Sequence, residues 1–475
     1  MTSEYLPQHA SRNLAARTLS AVASTVLIAG AVLLAVTGVP AGIVQSLNGP
    51  KPPLPLAEVK PAEPARVLVC MGPGLSFNSS SSDPVAYGAP TDVVAGISPI
   101  TGALAETTVK DGFSLEGSLS TSLPSVISQA AEDGALAGAS HQELSNVNVR
   151  GLALSECQEP RTETWIVAGD TTTGRQAALS LSNPGAVSAT VNVDVWGATG
   201  PISTPLGQGI LLPPGTQRVF VLSGFAPDEP SPVIRVSSVG VGIVATLHGS
   251  IVRGLLPDGL YVATGQPGPS LQRVIPGIYL APEDVIGPLK GKEGYADLGG
   301  ALRLLSPDAD TLAAVTILRA NGEKTTVQVE LVAGQVRDLT LDELGSGDLG
   351  VIVESTEPIV AGVRQGVGND SATDTSWVGS SYPIVGTSLV AVPAAGEARL
   401  TFANPGDAAV SVSLDGRDVT IPAGAVESRP ISGTHEIVAP TEIYAAVSVR
   451  TEMLMGNLQV LPTAPPQESV RVIVR

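Results

Sequence analysis

The stretch ALSLSNPGAVSATVNVDVWGATG, from Ala178 to Gly200, decides the fold class of this chain. Its second half, TVNVDV from Thr190 to Val195, alternates polar and aliphatic residues with the period of two that is typical of a half-buried β-strand. Between the two apolar segments lies Asn183-Pro-Gly, and this pair of residues after asparagine favours a tight turn. The stretch therefore predicts two strands joined by a turn, as expected of an all-β protein.

This turn belongs to a unit that occurs three times in the 475 residues. The turn is Asn-Pro-Gly at Asn183 and Asn404, and Ser-Pro-Asp at Ser306. In each unit a later strand leads to a glycine that is closely followed by an arginine: Gly215 and Arg218, Gly334 and Arg337, Gly424 and Arg429. Two Val-rich strands close each unit, which then offers about six or seven strands, enough for a small two-sheet sandwich.

We therefore predict tandem immunoglobulin-like β-sandwich domains, with repeats at residues 166–285, 286–390 and 391–475. A separate N-terminal β unit is expected at residues 66–165, with one short helix at Val126–Gly138. Cys70 and Cys157 are the two cysteines of the chain, and both lie in this unit. In an oxidising compartment such a pair is most simply a disulfide, and the alternative is two free buried thiols.

An uncharged segment precedes the β units. No charged residue occurs between Arg17 and Lys51, and the apolar run from Leu19 to Gln45 exceeds the roughly 20 residues that span a bilayer. We predict a cytoplasmic tail at 1–17, a single transmembrane anchor at 18–48 and a Pro-rich linker at 49–65, with the bulk of the chain extracytoplasmic. A cleaved signal peptide is the alternative, because VPAG at Val39–Gly42 offers small residues.

Composition limits the partners of the chain. The formal charge of −18 argues against nucleic acid, because phosphates require surfaces rich in lysine and arginine. The 52 glycines and 39 prolines agree with many short strands joined by turns. We expect contact with the membrane through the N-terminal helix, and a partner that is an envelope protein or a cell-wall glycan.

The features that carry a family resemblance are the N-terminal anchor, Cys157 before a strand with Trp165, the NPG turn, VWGATG and LPPG. In these features the chain resembles an actinobacterial family of membrane-anchored extracytoplasmic proteins, the domain of unknown function DUF5719. The resemblance covers most of the chain after the linker. It implies a location at the cell envelope. It supplies no catalytic residue.

Active-site motifs are not matched in the sequence. Gly169–Gln176 has the glycine spacing of a P-loop, but Arg175 and Gln176 stand where lysine and serine or threonine are needed. Gly240–Ala245 echoes a dinucleotide motif, yet a strand follows it instead of a helix. His248 lies where the second repeat has Gln365, so a general base is not expected there. We therefore expect no enzyme activity and no cofactor. We also expect no metal, because the acidic turns at 307–310 and 415–418 lack the alternating ligands of a calcium loop.

Aromatic residues are the remaining candidates for binding. Trp165 and Trp196 fall on predicted strands and are expected in the core. Trp377 and Tyr382 lie in the polar stretch NDSATDTSWVGSSYP, which we interpret as a loop that exposes their rings for sugar stacking. The sequence thus favours a non-catalytic structural or interaction protein of the bacterial envelope. A cell-wall glycan-binding module, or an accessory subunit of a glycan-processing system, is the alternative.

The predicted anchor can be tested in protoplasts. Protease added to intact protoplasts is expected to remove the bulk of the chain, because everything after Lys51 should lie outside the membrane. A cytoplasmic protein serves as the control for lysis. A soluble form in the culture medium with a new N-terminus near Gly42 would instead identify the segment as a cleaved signal peptide.

Overall fold

The chain folds as an all-β protein, as predicted. This computed structural model describes residues 56–59, 65–77, 84–87, 91–96, 109–111, 114–115, 124–129, 134–463 and 470–473. These residues form 34 strands and one α-helix, α1 (Glu283–Lys290). None of the helices in the described ranges is long and apolar enough to cross a membrane. The predicted tail and anchor at 1–48 lie outside the described residues.

Strands of 2 to 10 residues make up the N-terminal part and the first repeat. The N-terminal part contains β1 (Leu56–Val59), β2 (Arg66–Val69), β3 (Gly74–Phe77), β4 (Pro84–Tyr87), β5 (Thr91–Gly96), β6 (Val109–Asp111), β7 (Ser114–Leu115), β8 (Ser125–Gln129), β9 (Leu136–Ser145) and β10 (Arg150–Glu156). The first repeat contains β11 (Glu163–Ile166), β12 (Arg175–Asn183), β13 (Ala189–Gly197), β14 (Gly200–Ile202), β15 (Ile210–Leu212), β16 (Thr216–Val221), β17 (Val233–Val239), β18 (Val244–Arg253) and β19 (Leu256–Thr264).

By strand pairing, the second repeat begins with β20 (Ser270–Leu280), before the predicted boundary at residue 286. It also contains β21 (Ala301–Leu305), β22 (Thr311–Leu318), β23 (Lys324–Leu331), β24 (Arg337–Thr340), β25 (Gly347–Gly368) and β26 (Thr373–Gly379). The third repeat contains β27 (Ile384–Val392), β28 (Glu397–Asn404), β29 (Val410–Leu414), β30 (Arg417–Ile421), β31 (Ala425–Pro430), β32 (Gly433–Arg450) and β33 (Met455–Gln459). The last strand is β34 (Val470–Ile473), which pairs antiparallel with β1 as a unit separate from residues 63–466.

The second and third repeats share one strand topology. The 22-residue strand β25 pairs with β20 and β22 in one sheet, then with β21 and β26 in the other. The 18-residue strand β32 pairs with β27, β29, β28 and β33 in the same way. In the first repeat this long strand is divided into β17 and β18, which make the equivalent pairings.

This strand order differs from that of an immunoglobulin domain. Immunoglobulin sheets contain strands ABED and CFG, and no strand belongs to both. Here the sixth strand of the second and third repeats, β25 and β32, contributes its first half to one sheet and its second half to the other. The alternation of residues predicts strands and a buried face, but strand order depends on pairings that the pattern does not contain.

The N-terminal unit has the same pairings in shorter form. The consecutive strands β8 and β9 pair with β2 and β6, and with β5 and β10, as the two halves of the long strand do in the repeats. The helix predicted at Val126–Gly138 is therefore wrong: residues 126–129 lie in β8 and residues 136–138 lie in β9. Its alanines and acidic residues favour a helix locally, but pairing with neighbouring strands overrides that preference.

The turns explain why the repeat motif recurs. The Asn183 side chain donates to the carbonyl oxygen of Leu212 at 2.9 Å and accepts from the Gly185 amide at 2.9 Å. Asn404 makes the matching bonds to Ile421 and Gly406 at 3.2 and 3.0 Å. One asparagine thus ties its own turn to the loop that leads into the next strand.

The glycines after these loops have a positive φ. Their φ values are 64° at Gly215, 74° at Gly334 and 57° at Gly424. Arg218 and Arg337 lie at equivalent positions on β16 and β24, opposite the leucine two residues before the turn. Arg429 lies opposite Leu400, two positions further from its turn, so the third arginine of the motif is not equivalent.

The four units of residues 63–466 close a cycle through shared buried clusters. The first and second repeats share Trp165, Val167, Leu305 and Val360. The second and third share Val274, Ile352, Ala403 and Val426. The third repeat and the N-terminal unit share Leu389, Leu458, Leu152 and Leu154. The N-terminal unit and the first repeat share Met71, Ala153, Leu260 and Val262. Each unit therefore completes part of its core with residues of both neighbours.

The positive φ at Gly215 predicts a specific sensitivity. Gly215→Val is expected to destabilise the protein by about 1 to 3 kcal/mol, because a β-branched residue is strained at φ > 0. The measurement is the urea midpoint. Gly224→Val is the matched control, since Gly224 has no atom within 4 Å of an added Cβ and no positive φ. Equal midpoints for the two variants would contradict the role assigned to Gly215.

Candidate functional site

Four strands, one from each unit, meet at the centre of the cycle. β10 packs against β19, β19 against β26, β26 against β33, and β33 against β10. We call this four-strand bundle the axis. Each of these strands is the last strand of its unit and pairs with the second half of the divided or long strand. Residues at the axis therefore face groups from all four units.

Asp374 lies at the axis and binds a backbone amide from every unit. One carboxylate oxygen accepts from the amides of Leu260 and Thr375, both at 3.0 Å. The other oxygen accepts from Leu152 at 3.0 Å and Met455 at 3.2 Å. The four donors come from the first repeat, the second repeat, the N-terminal unit and the third repeat. A carboxylate has about four acceptor positions, and here all are used.

Burial dominates the electrostatics of Asp374. The side chain is fully buried, and desolvation raises the pKa of its carboxyl, while the four amide donors, which bond to the ionised form, act to lower it. The packing around Asp374 leaves no space for a side chain at position 151. A Cβ added at Gly151 would collide with the Leu260 amide and lie 2.8 Å from an Asp374 oxygen.

A second buried carboxylate, Glu156, joins three units further along the axis. It accepts from the hydroxyl of Thr264 at 2.6 Å, the amide of Gln459 at 2.9 Å and the side chain of Gln158 at 2.6 Å. Burial raises the pKa of Glu156. A cavity of about 20 Å³ beside it is lined by Gln266 and other polar groups, which is room for one water molecule.

At the Asp374 end the axis opens into a cavity of about 600 Å³, which we call the axial pocket. Its walls are the hairpin tips between β9 and β10, between β18 and β19, and between β25 and β26, together with residues at the end of α1 and just beyond it. Its floor contains Asp258, whose carboxylate accepts from the amide of Thr373 at 2.6 Å. The next residue is Asp374, so the lining of the pocket is adjacent in sequence to the buried carboxylate.

Aliphatic side chains line the mouth of the axial pocket. Val147 is 87% exposed, Leu255 is 94% exposed and Leu256 is 67% exposed. They come from two different hairpin tips. Grouped exposed apolar residues with a polar rim are typical of binding surfaces in soluble domains.

Charged groups in the pocket are mostly paired. Lys292 contacts Asp370 at 2.8 Å on the rim. Arg253 is not part of the lining, but its guanidinium contacts the lining residue Asp258 at 3.1 Å and lies 4.4 Å from the ring centroid of Tyr295. These contacts position the polar side chains of the pocket and leave its aliphatic tips open.

The exposed role expected of Trp377 is wrong. Trp377 lies on β26, is 6% exposed and packs in the core of the first repeat. The guanidinium of Arg303 lies 4.5 Å from its ring centroid. Arg303 is fully buried and donates to the carbonyl oxygens of Gly169 at 2.8 Å and Pro230 at 2.9 Å. The polar stretch around Trp377 is therefore a buried strand at the junction of two repeats.

The other predicted aromatics are also engaged by the protein. Tyr382 is half-buried after β26, with the Arg161 guanidinium 4.3 Å from its ring centroid. Burial raises the pKa of Tyr382. Trp165 is buried as expected and stacks on Trp196 at a centroid distance of 5.1 Å. None of these four rings, including that of Trp377, lines the axial pocket.

His248 lies away from the pocket. It is 1% exposed, and one ring nitrogen is 3.3 Å from the Thr246 hydroxyl. Burial lowers the pKa of His248 to about 4, so the ring is neutral at pH 7. It pairs with Ala178, and the strand register places Arg364 at the equivalent position of the second repeat, not Gln365.

The predicted disulfide is present. Cys70 and Cys157 are bonded across 87 residues, and both are buried. A Cβ added at Gly138 would lie 2.7 Å from the Cys157 sulfur, so this glycine makes room for the bond. Closing a loop of this length stabilises the fold by about 4 to 5 kcal/mol on the chain-entropy estimate.

The functional residues that sequence reasoning missed are Asp374 and the lining of the axial pocket. Asp374 stands in the Thr- and Ser-rich string that we interpreted as a loop, and nothing local marks its carboxylate as buried. Residues 145–150, 255–258 and 369–373 meet only through the closed cycle. Within the described ranges, no group of three or more His, Cys, Asp or Glu residues is arranged to hold a metal ion.

Comparison with known proteins supports the family resemblance. The profile of the family of unknown function DUF5719 matches residues 116–431, which is more than half of the chain. The chain belongs to the DUF5719 family. A solved structure, "Crystal Structure of Thermotoga maritima 1070", is 19% identical to this chain. The aligned region covers 23% of this chain and 92% of the solved chain, with a TM-score of 0.20. The comparison with curated proteins gives no match.

The four-amide site predicts a large effect for one isosteric change. Asp374→Asn is expected to destabilise the protein by about 2 to 6 kcal/mol, because the amide nitrogen cannot accept and two buried N–H groups lose their acceptor. Urea denaturation of the DUF5719 chain measures the change. Asp370→Asn, on the exposed rim, is the matched control and should shift stability by less than about 0.5 kcal/mol. Equal stability of the two variants would show that the axis does not depend on this carboxylate.

Proposed function

We propose that the DUF5719 chain is a non-catalytic interaction protein of the bacterial envelope that is anchored by residues 18–48 and binds a partner at the axial pocket. The observation that carries the proposal is the group of exposed aliphatic tips at the open end of the axis, where Leu255 is 94% exposed. A soluble domain gains nothing from this exposure, whereas a bound partner would remove the apolar surface from water.

The state of the buried acids supports a non-catalytic role. Asp374 and Glu156 are carboxylates at the axis whose pKa burial raises, and such groups are usual candidates for acid or base chemistry. Both are occupied by amide, hydroxyl or carboxamide donors from several units. His248, the buried histidine, lies outside the pocket lining. These carboxylates join units and have no free oxygen for a substrate.

Location at the membrane rests on the sequence. The uncharged run between Arg17 and Lys51 supports an anchor, and the disulfide supports an oxidising compartment outside the cytoplasm. The charge of −18 favours a partner that is not a polyanion. An envelope protein meets these conditions.

Binding of a cell-wall glycan is the second candidate. The observation that favours it is Tyr295, a half-buried ring in the pocket lining near Asn369 and Asp370, because sugars stack on aromatic faces and bond to planar polar groups. Arg253 occupies the region 4.4 Å from that ring, which leaves less of its surface for a sugar.

A photo-crosslinking residue at position 255 tests the proposed binding face. Introduced into the full-length chain in living cells, Leu255→benzoylphenylalanine is expected to give a discrete adduct, since this side chain projects at the pocket mouth. The same residue at Leu206, which is 75% exposed and outside the pocket lining, is the matched control. Identical adducts from both positions, or none from 255, would contradict a partner at the axial pocket.

A further inference from the structure

Among the described residues that line the axial pocket, Arg150 is the cation that has no carboxylate partner. It lies at the start of β10, is half-buried and faces the cavity. In the part of the chain that the structure describes, its side-chain partner is the Met453 sulfur, 3.8 Å from a guanidinium nitrogen. A thioether is a weak acceptor, and a guanidinium carries five N–H donors. Arg150 therefore offers the pocket a nearly complete set of donors and a positive charge.

The other cations around the pocket differ in this respect. Arg253 is held by Asp258 at 3.1 Å and Asp297 at 2.6 Å, and Lys292 by Asp370 at 2.8 Å. A half-buried guanidinium without a carboxylate pairs favourably with a planar anion, which it can bind through two parallel N–H bonds. The pocket is thus prepared for one anionic group beside Arg150.

The exposed aliphatic side chains at the pocket mouth indicate that the rest of the ligand is apolar. Val147 lies on the same hairpin as Arg150, and Leu255 and Leu256 stand on the neighbouring tip. A small inorganic anion would leave these side chains in water, whereas a ligand with its own aliphatic groups would cover them. The volume of about 600 Å³ is in the range that holds a ligand of a few residues.

Charge selects among anions. The carboxylates of Asp258 and Asp370 line the same cavity as Arg150, so a doubly charged phosphate meets more repulsion than a singly charged carboxylate. We propose that the axial pocket binds the C-terminal carboxylate of an aliphatic peptide segment, with Arg150 on the carboxylate and Val147, Leu255 and Leu256 on the side chains. This rests on the proposed function and names the chemistry of its ligand.

Isothermal titration of the full-length chain in zwitterionic nanodiscs tests the proposal. The probe is an acetylated pentapeptide that ends in valine and leucine with a free carboxylate, compared with the same peptide as its C-terminal amide. The free acid is expected to bind about tenfold or more tightly than the amide, because charge-assisted bonds to Arg150 are lost in the amide. Inorganic phosphate at the same concentration should not displace the acid.

Variants separate the two parts of the site. Arg150→Gln is expected to abolish the preference for the acid, whereas Leu255→Ser should weaken acid and amide by the same factor. Arg417→Gln, an exposed arginine outside the pocket lining, is the matched control and should leave both affinities unchanged. The urea midpoint of each variant checks that the fold is intact.

Three outcomes would overturn the proposal: equal affinity for acid and amide, an acid preference that survives in Arg150→Gln, or no binding of either peptide at millimolar concentration. Displacement by phosphate would assign the site to a phosphate-bearing ligand instead. An adduct at position 255 without peptide binding would reject this ligand class and keep the proposed function. If neither the adduct at position 255 nor peptide binding is observed, the ligand class and the proposed function are both rejected.

Discussion

One buried carboxylate holds together the four β units of residues 63–466. Asp374 binds four amides, and the donors Leu152, Leu260, Thr375 and Met455 each belong to a different unit. The residues that precede these donors are Gly151, Gly259, Asp374 and Leu454. One of the four positions carries an acid. Four carboxylates gathered at one axis would repel each other. The contact that joins the four similar units thus depends on a residue that has no acidic counterpart in the other three.

A buried cation bonds to backbone groups at the junction between the first and second repeats, as the buried carboxylate does at the axis. Arg303 is fully buried and donates to backbone carbonyl oxygens of the first repeat, while its Nε contacts Asp338 at 3.0 Å. Apolar contacts hold surfaces together with little directional preference, whereas a guanidinium that bonds to particular carbonyls accepts few alternative placements. The apolar clusters therefore supply contact area between the units, and the buried polar side chains set their register.

The sequence predicted what is determined locally. The turns at Asn183 and Asn404 and the positive φ of Gly215 follow from side-chain and backbone preferences within about twenty residues, and the all-β class follows from alternation. The short helix at Val126–Gly138 was wrong because strand pairing overrode local preference. Trp377 was misplaced because a strand that is polar along its length is buried only when four units surround it. The axial pocket has no local signal, since its walls are distant in sequence.

Closure of the cycle also bears on how the chain acquires its structure. The bond between Glu156 and the Gln459 amide joins residues 303 positions apart, and the N-terminal unit shares its buried cluster with the third repeat. Long-range contacts of this kind form slowly because chain entropy must be lost before they stabilise anything. The unit synthesised first therefore keeps an uncovered apolar face until the last repeat has left the ribosome. We therefore expect such a chain to fold more slowly than independent tandem domains would, with its unpaired apolar surface exposed to aggregation during that interval.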